Sequence, residues 1–316
     1  MNPPGGARIL VACPAGVLGQ ALTDRLVWAG HQHVTVARGL DLRERDAVLA
    51  LFEAELPDYV VLVPAQVVNP LSLRRAQWLH DNLVGAANVI HAAYLYDVEK
   101  LLCLDCSATF MHPVVLPSWA GPWTAELLEE VRRACAVTRS ATAELCGSYH
   151  LQYGCNFVSA VAGHVYGPDL NFGAEGPHLV PTLLREVRRA RDAGQPGLRL
   201  LGHASGQHDL LHLHDLADAC LFLLERVSPP GPVGVGSGEP RTLGDVARLV
   251  GLAAGYEGTI EFDGEAAHSR GLPTPGARAP DPGPLQALGW EARVPLAAGL
   301  QDTWRWYTRA SPPAAP

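Results

Sequence analysis

Along the first half of the chain, short apolar runs alternate with longer stretches in which apolar residues return at helical spacing. Ala7 to Ala12 (ARILVA) is short and rich in β-branched residues, and Val17 to Ala29 (VLGQALTDRLVWA) repeats apolar positions every three or four residues. Together they predict strand, turn and helix. A second strand, HVTVA ending at Ala37, is followed by a helix over Arg45 to Leu56 and a third strand over Tyr59 to Pro64. The alternation continues with a helix over Trp78 to Tyr94, a strand over Leu101 to Leu104, a long helix from about Thr124 to Tyr153 and a strand over Asn156 to Ala162. Parallel strands need crossover helices, so this order predicts an α/β fold with a doubly wound parallel (Rossmann) sheet.

Beyond Tyr166 the pattern loosens, with helices expected over Leu179 to Ala193 and Leu243 to Ala254 between Gly- and Pro-rich connections. This composition predicts a smaller C-terminal substrate lobe. The expected organisation is a dinucleotide-binding domain over 1–165 with a later return near 208–236, a substrate lobe over 166–310 and a disordered tail over 311–316. Ser269 to Pro284 is expected to be a proline-rich loop.

Composition narrows the partners. A hydrophobic fraction of 48% and a charged fraction of 18% suit a globular protein. The formal net charge of -8 and the scattered basic residues exclude a nucleic-acid binder, which relies on clustered Lys and Arg. No apolar run reaches the roughly 18 residues of a membrane span, and Met1 to Gly6 lacks the features of a secretory signal, so a cytoplasmic location is expected. The 7 cysteines, odd in number and without a repeating spacing, fit reduced thiols. Lys100 is the single lysine.

The turn Cys13-Pro14-Ala15-Gly16-Val17-Leu18-Gly19 joins the first strand to the first helix. Such a turn presents unpaired backbone N–H groups and the positive helix end to a pyrophosphate, which makes Cys13, Gly16 and Gly19 candidate cofactor-binding residues. At the end of the second strand stands Arg38 and no carboxylate, which favours a 2'-phosphate and hence NADP over NAD.

Longer segments carry a resemblance: NVIHAAYLYDVEKLLCL from Asn88, ELCGSYHLQYGCNF from Glu144, VYGPDLNF from Val165, PHLVPTLLREV from Pro177, LLHLHDLADA from Leu210 and GVGSGEPRTLGDVA from Gly234. By these the chain resembles the GDP-L-fucose synthase family of extended short-chain dehydrogenases/reductases. The resemblance implies a GxxGxxG turn with Cys13 at its first glycine, an adenine contact at Asp41 and Leu42, and a homodimer built through helices around Trp78 to Tyr94 and Ala136 to Tyr149. It further implies a GDP-4-keto-6-deoxysugar substrate and NADPH, with Ser, Tyr and Lys for hydride chemistry and Cys and His for epimerisation.

Carried onto this sequence, the resemblance puts Cys106 at the serine position, or Ser107 if the register slips by one residue. The family cysteine falls on Ala108 and its histidine is matched by His178. The tyrosine and lysine of YxxxK fall on Cys135 and Arg139. His164 replaces an asparagine that faces cofactor or substrate, Asn171 and Phe172 fall at substrate-binding positions, and His208 replaces the arginine that would hold a pyrophosphate. The literal YxxxK string, Tyr96 to Lys100, lies on the approach to a strand and reads as a decoy. His212 and His214 read as sharing one face of a strand, yet no metal is assigned, because the resembled family carries a His at the 212 position without one.

A phenol at position 135 would reach a substrate carbonyl, whereas a thiol ends roughly 4 Å nearer the backbone, more than the ~3 Å reach of a hydrogen-bonded acid. Arg139, one turn away, is expected to favour the Cys135 thiolate, which donates no proton. His178, titrating near pH 7, is then the surviving acid–base candidate. Three functions follow. The first is a repurposed enzyme doing non-redox isomerisation, elimination or cyclisation on a nucleotide-sugar or other polar metabolite, with any NADP vestigial or absent. The second is an NADPH-dependent NDP-4-keto-6-deoxysugar epimerase/reductase. The third is a non-catalytic binding or partner subunit.

Overall fold

The computed structural model describes residues 6–13, 17–63, 75–105, 116–117, 125–168, 178–226, 231–264 and 281–310. In chain order its elements are β1 (Arg8–Ala12), α1 (Val17–Trp28), β2 (His33–Val36), α2 (Arg45–Glu55), β3 (Tyr59–Leu62), α3 (Arg75–Leu95), β4 (Lys100–Asp105) and β5 (Leu116–Pro117). Next come α4 (Ala125–Tyr153), β6 (Phe157–Ala162), β7 (His164–Tyr166), α5 (Leu179–Asp192), β8 (Gly197–Leu201), β9 (Gln207–His208), β10 (Leu210–His212) and α6 (Leu213–Arg226). The last are β11 (Val233–Val235), β12 (Arg241–Thr242), α7 (Leu243–Ala254), β13 (Thr259–Asp263), α8 (Gly283–Ala287) and α9 (Leu296–Ala310).

The central sheet has six strands in the order β11-β6-β4-β3-β1-β2, and every neighbouring pair is parallel. Its strands read as continuous apolar runs because both faces are covered. On β1, Ile9 and Val11 join α1 and α6 in one core, with Leu18, Leu22, Leu216 and Cys220. Leu10 and Ala12 face the opposite core with Phe52, Val89, Ile90 and Cys146 from α2, α3 and α4. β2 and β3 lie on opposite sides of β1, so the crossovers reverse there, and a crevice at the carboxyl ends of the strands is where such sheets take ligands.

The two faces also settle the Tyr96 to Lys100 string. Tyr96 packs against Phe52, ring centroids 5.9 Å apart, on one side of the sheet. Lys100 is 4% exposed and its Nζ donates to Leu223 O of α6 at 2.5 Å on the other side. The two side chains serve different cores and form no catalytic pair.

A third core holds the C-terminal elements together: Leu183, Leu184 and Val187 of α5, Val246 and Val250 of α7, and Leu300 and Trp304 of α9. Thr242 caps α7, its side chain accepting from Asp245 N, and Gly255 ends that helix with φ +64°, a left-handed position that glycine takes without strain. Short strands bind this region: β13 and β5 flank β8, β7 pairs with β10, and β9 pairs with β12. The loop expected over Ser269 to Pro284 gives way to α8 at Gly283. Pro284 sits in its first turn, where a missing N–H costs nothing. The rest of that loop up to position 280, and the tail expected over 311–316, lie outside the described residues. Among the described residues no helix is long and apolar enough to cross a membrane.

Candidate active site

The nucleotide end is built by β1 running into α1. Cys13 is 1% exposed and lies against Gly19 in the first turn of α1. A Cβ on Gly19 would lie 3.3 Å from the Cys13 Cβ and 3.4 Å from its Sγ, so the side chain at 13 fills room that residue 19 leaves by lacking one. Burial pushes the Cys13 thiol up to about 11, against a smaller opposing effect of the Gly19 N–H. Cys13 therefore acts as a neutral packing group that keeps strand and helix close. Gly16 lies outside the described residues.

Arg38 stands just past β2, and its guanidinium donates to Gln20 Oε1 of α1. Gln20 Nε2 in turn donates to Asp24 Oδ1 at 2.7 Å. The arginine is thus laid along the first turns of α1, beside the end of β2 where an adenine ribose is held in such folds. Asp41 is bound by Arg43, whose Nε donates to Asp41 Oδ1 at 2.8 Å and whose Nη1 donates to Asp81 Oδ2 at 2.9 Å. That guanidinium holds the Asp41 carboxyl at about 2. Asn88 Nδ2 donates to Leu42 O at 2.9 Å and Arg43 O at 3.0 Å, fixing the segment against α3.

At the centre of the sheet, β4 ends in Asp105, whose register partner on β6 is Val161. Arg139 Nε of α4 lies 3.8 Å from Asp105 Oδ2, with side-chain exposures of 31% and 14%. Cys135, one turn earlier on α4, is 1% exposed. The expectation that Arg139 favours a Cys135 thiolate is overturned. Burial first, and the Asp105 carboxylate second, outweigh the guanidinium and push the thiol up to about 12. Cys135 stays protonated and encased.

His178 caps the N-terminus of α5 without a side-chain cap hydrogen bond. It is 6% exposed, and burial, followed by the nearby Arg185 cation, lowers its pKa to about 4. The expectation of a group titrating near pH 7 gives way to a neutral imidazole. His164 of β7 and His208 of β9 meet edge to face, ring centroids 5.3 Å apart, both buried. The fold thus joins two residues assigned separately to cofactor and substrate. His212 and His214 do not share a strand face, because β10 stops at His212 and α6 begins at Leu213. Their rings still lie 4.9 Å apart. Among the described residues no group of three or more His, Cys, Asp or Glu is arranged to hold a metal.

Cys106, Ser107, Asn171 and Phe172 lie outside the described residues. Asp105 was missed by sequence reasoning. Its signal was a lone carboxylate closing an apolar strand, directly before the positions the resemblance pointed to.

A doubly wound parallel sheet whose first strand leads to a helix with Gly19 in its first turn defines a Rossmann-type nucleotide-binding class of fold, and sequence comparison agrees. Residues 9–236 match the model of the NAD dependent epimerase/dehydratase family, and the chain belongs to that family. It is 32% identical over 307 residues to GDP-L-fucose synthase 1 of Arabidopsis thaliana, covering 96% of this chain and 94% of that one. It is 33% identical over 307 residues to a probable GDP-L-fucose synthase 1 of Oryza sativa subsp. japonica, covering 96% and 92%. A crystal structure of a GDP-L-fucose synthetase from Naegleria fowleri bound to NADP superposes with a TM-score of 0.79 at 20% identity, covering 98% of this chain and 95% of that one, and shows the shared fold.

Proposed function

We propose that this chain is an NADPH-dependent epimerase/reductase acting on a nucleoside-diphosphate 4-keto-6-deoxysugar. The observation that carries the reading is the near-full-length similarity to proteins named GDP-L-fucose synthase, which takes in the C-terminal elements as well as the nucleotide turn. This favours a redox nucleotide-sugar enzyme over the non-redox role expected from positions 135 and 139.

The described residues fit a dinucleotide. Gly19 and the buried Cys13 keep the start of α1 close to the end of β1, and Arg38, laid along α1, offers a cation to a 2'-phosphate. When bound, the nicotinamide would supply the hydride. The chain supplies the rest: His164 and His208 form a buried polar wall, and His178 a neutral donor or acceptor at the start of α5. Position 135 supplies no proton to a reduced carbonyl, since its thiol is short and enclosed. That enclosure is the observation favouring a second reading, non-redox chemistry on the same class of substrate. A homodimer through α3 and α4 and a cytoplasmic location belong to the same proposal. Val137 and Leu151 on α4, 47% and 86% exposed, support the dimer.

The test is to mix the purified protein with NADPH and GDP-4-keto-6-deoxymannose, following nicotinamide absorbance and the mass of the sugar product. Substrate-dependent loss of absorbance with a product two hydrogens heavier is expected. NADPH that binds and is never oxidised while the sugar is isomerised would establish the second reading, and failure to bind either compound would establish a partner subunit.

A further inference from the structure

We propose that Asp105 is the proton-abstracting base of this cleft, acting on the carbon next to the keto group of the sugar. The inference rests on the keto-sugar reading above and goes beyond it by assigning a residue that sequence reasoning passed over.

Four observations carry it. Asp105 closes β4 at the carboxyl edge of the sheet, near the crevice where this architecture takes ligands. It is not sealed in: its side chain is 14% exposed and that of Arg139 is 31% exposed. The Arg139 guanidinium lies 3.8 Å from one of its carboxyl oxygens and sets a cation beside it. Finally, the helix position that faces Asp105 one turn before Arg139 holds the enclosed Cys135 thiol, which the Asp105 carboxylate itself helps to keep protonated. Among the described residues, Cys135 and Arg139 of α4 face Asp105, and its register partner on β6 is Val161. The pair thus puts a carboxyl group and a cation where the thiol performs no acid–base work.

In the step itself, an Asp105 oxygen takes the proton from the carbon beside the carbonyl. The C–H electron pair becomes a C=C bond, and the carbonyl π pair moves onto oxygen, whose charge the Arg139 cation favours. A proton from solvent water added to the opposite face restores the carbonyl and inverts the centre, and the hydroxide left behind is neutralised by the proton that Asp105 gives up. The substrate is isomerised with no net gain or loss of protons or electrons.

The experiment uses the full chain without dinucleotide, with GDP-4-keto-6-deoxymannose in D2O, and reads deuterium uptake by mass spectrometry and sugar-nucleotide affinity by calorimetry. The wild type is expected to incorporate deuterium. Asp105→Asn is expected to slow uptake by about 10²- to 10⁴-fold, the range for loss of an acid–base group, with affinity kept within about threefold. Asp105→Ser, smaller than the native residue, serves if the Asn variant does not fold, and Asp105→Glu is expected to restore part of the rate. Uptake at the wild-type rate in the Asn or Ser variant overturns the assignment. In a parallel reaction with NADPH added, a wild type that binds the sugar and oxidises NADPH without deuterium uptake overturns Asp105 while leaving the reductase part of the proposed function standing. A wild type that does not bind the sugar overturns both.

Discussion

The Cys13 side chain stands directly against the bare Cα of Gly19, so that a Cβ added there would meet the Cys13 Cβ at 3.3 Å and its Sγ at 3.4 Å. The side chain at the motif's first glycine position is accommodated because position 19 carries none. Gly19→Ala is expected to destabilise the fold by about 1–3 kcal/mol through overpacking and to weaken NADPH binding. In a Cys13→Gly background the same substitution should cost less. A double-mutant cycle in urea denaturation, read as a positive coupling between the two sites, checks this. Additive effects would show that the two positions do not share space.

Arg38 is expected to choose between dinucleotides. Arg38→Ala should weaken NADPH binding by about 10- to 100-fold, the loss of one charge-assisted contact to a phosphate, and leave NADH binding nearly unchanged. Fluorescence titration of both cofactors decides it, and an equal loss for the two would remove Arg38 from phosphate recognition.

Burial holds the thiols of Cys13 at about 11 and of Cys135 and Cys220 at about 12. The thiolate is the reactive species, so these three should resist a maleimide at pH 8 and label only after denaturation. Peptide mapping by mass spectrometry reads the result site by site. Rapid native labelling of Cys135 would contradict its enclosure.

His178 and His212 are buried with pKa values lowered to about 4 from 6.5. For such a group the unfolded chain binds the proton more readily. The stability it contributes is complete above the unfolded pKa and is lost as pH falls from about 6.5 through about 4. Each histidine should contribute on the order of 3 kcal/mol to that loss. Urea midpoints measured between pH 7 and pH 4 should fall steeply, and His212→Gln should flatten the slope. A midpoint independent of pH in this window would place both rings in contact with water.

The sheet and its helices were legible because each strand is buried on both faces and so reads as an apolar run, as Tyr59 to Leu62 does. The five-residue β8 and the two-residue β9 and β12 carry too little periodicity to be read and form only once the helices around them are in place. Of the site, Arg38 and the turn at Gly19 were legible as local motifs. The protonation of Cys135 was not, because it depends first on burial by the folded surroundings and then on Asp105, a residue distant in sequence that the fold brings near α4. His214 was misassigned to a strand because a helix start directly after a three-residue strand keeps an alternating pattern.

Lys100 has a consequence outside catalysis. It is the chain's single lysine, and its nitrogen is enclosed against a carbonyl at the base of the sheet. Acetylation, ubiquitin attachment and amine-directed crosslinking therefore find no accessible lysine on the folded molecule, and cellular control of this protein through lysine would have to act on the chain before it folds.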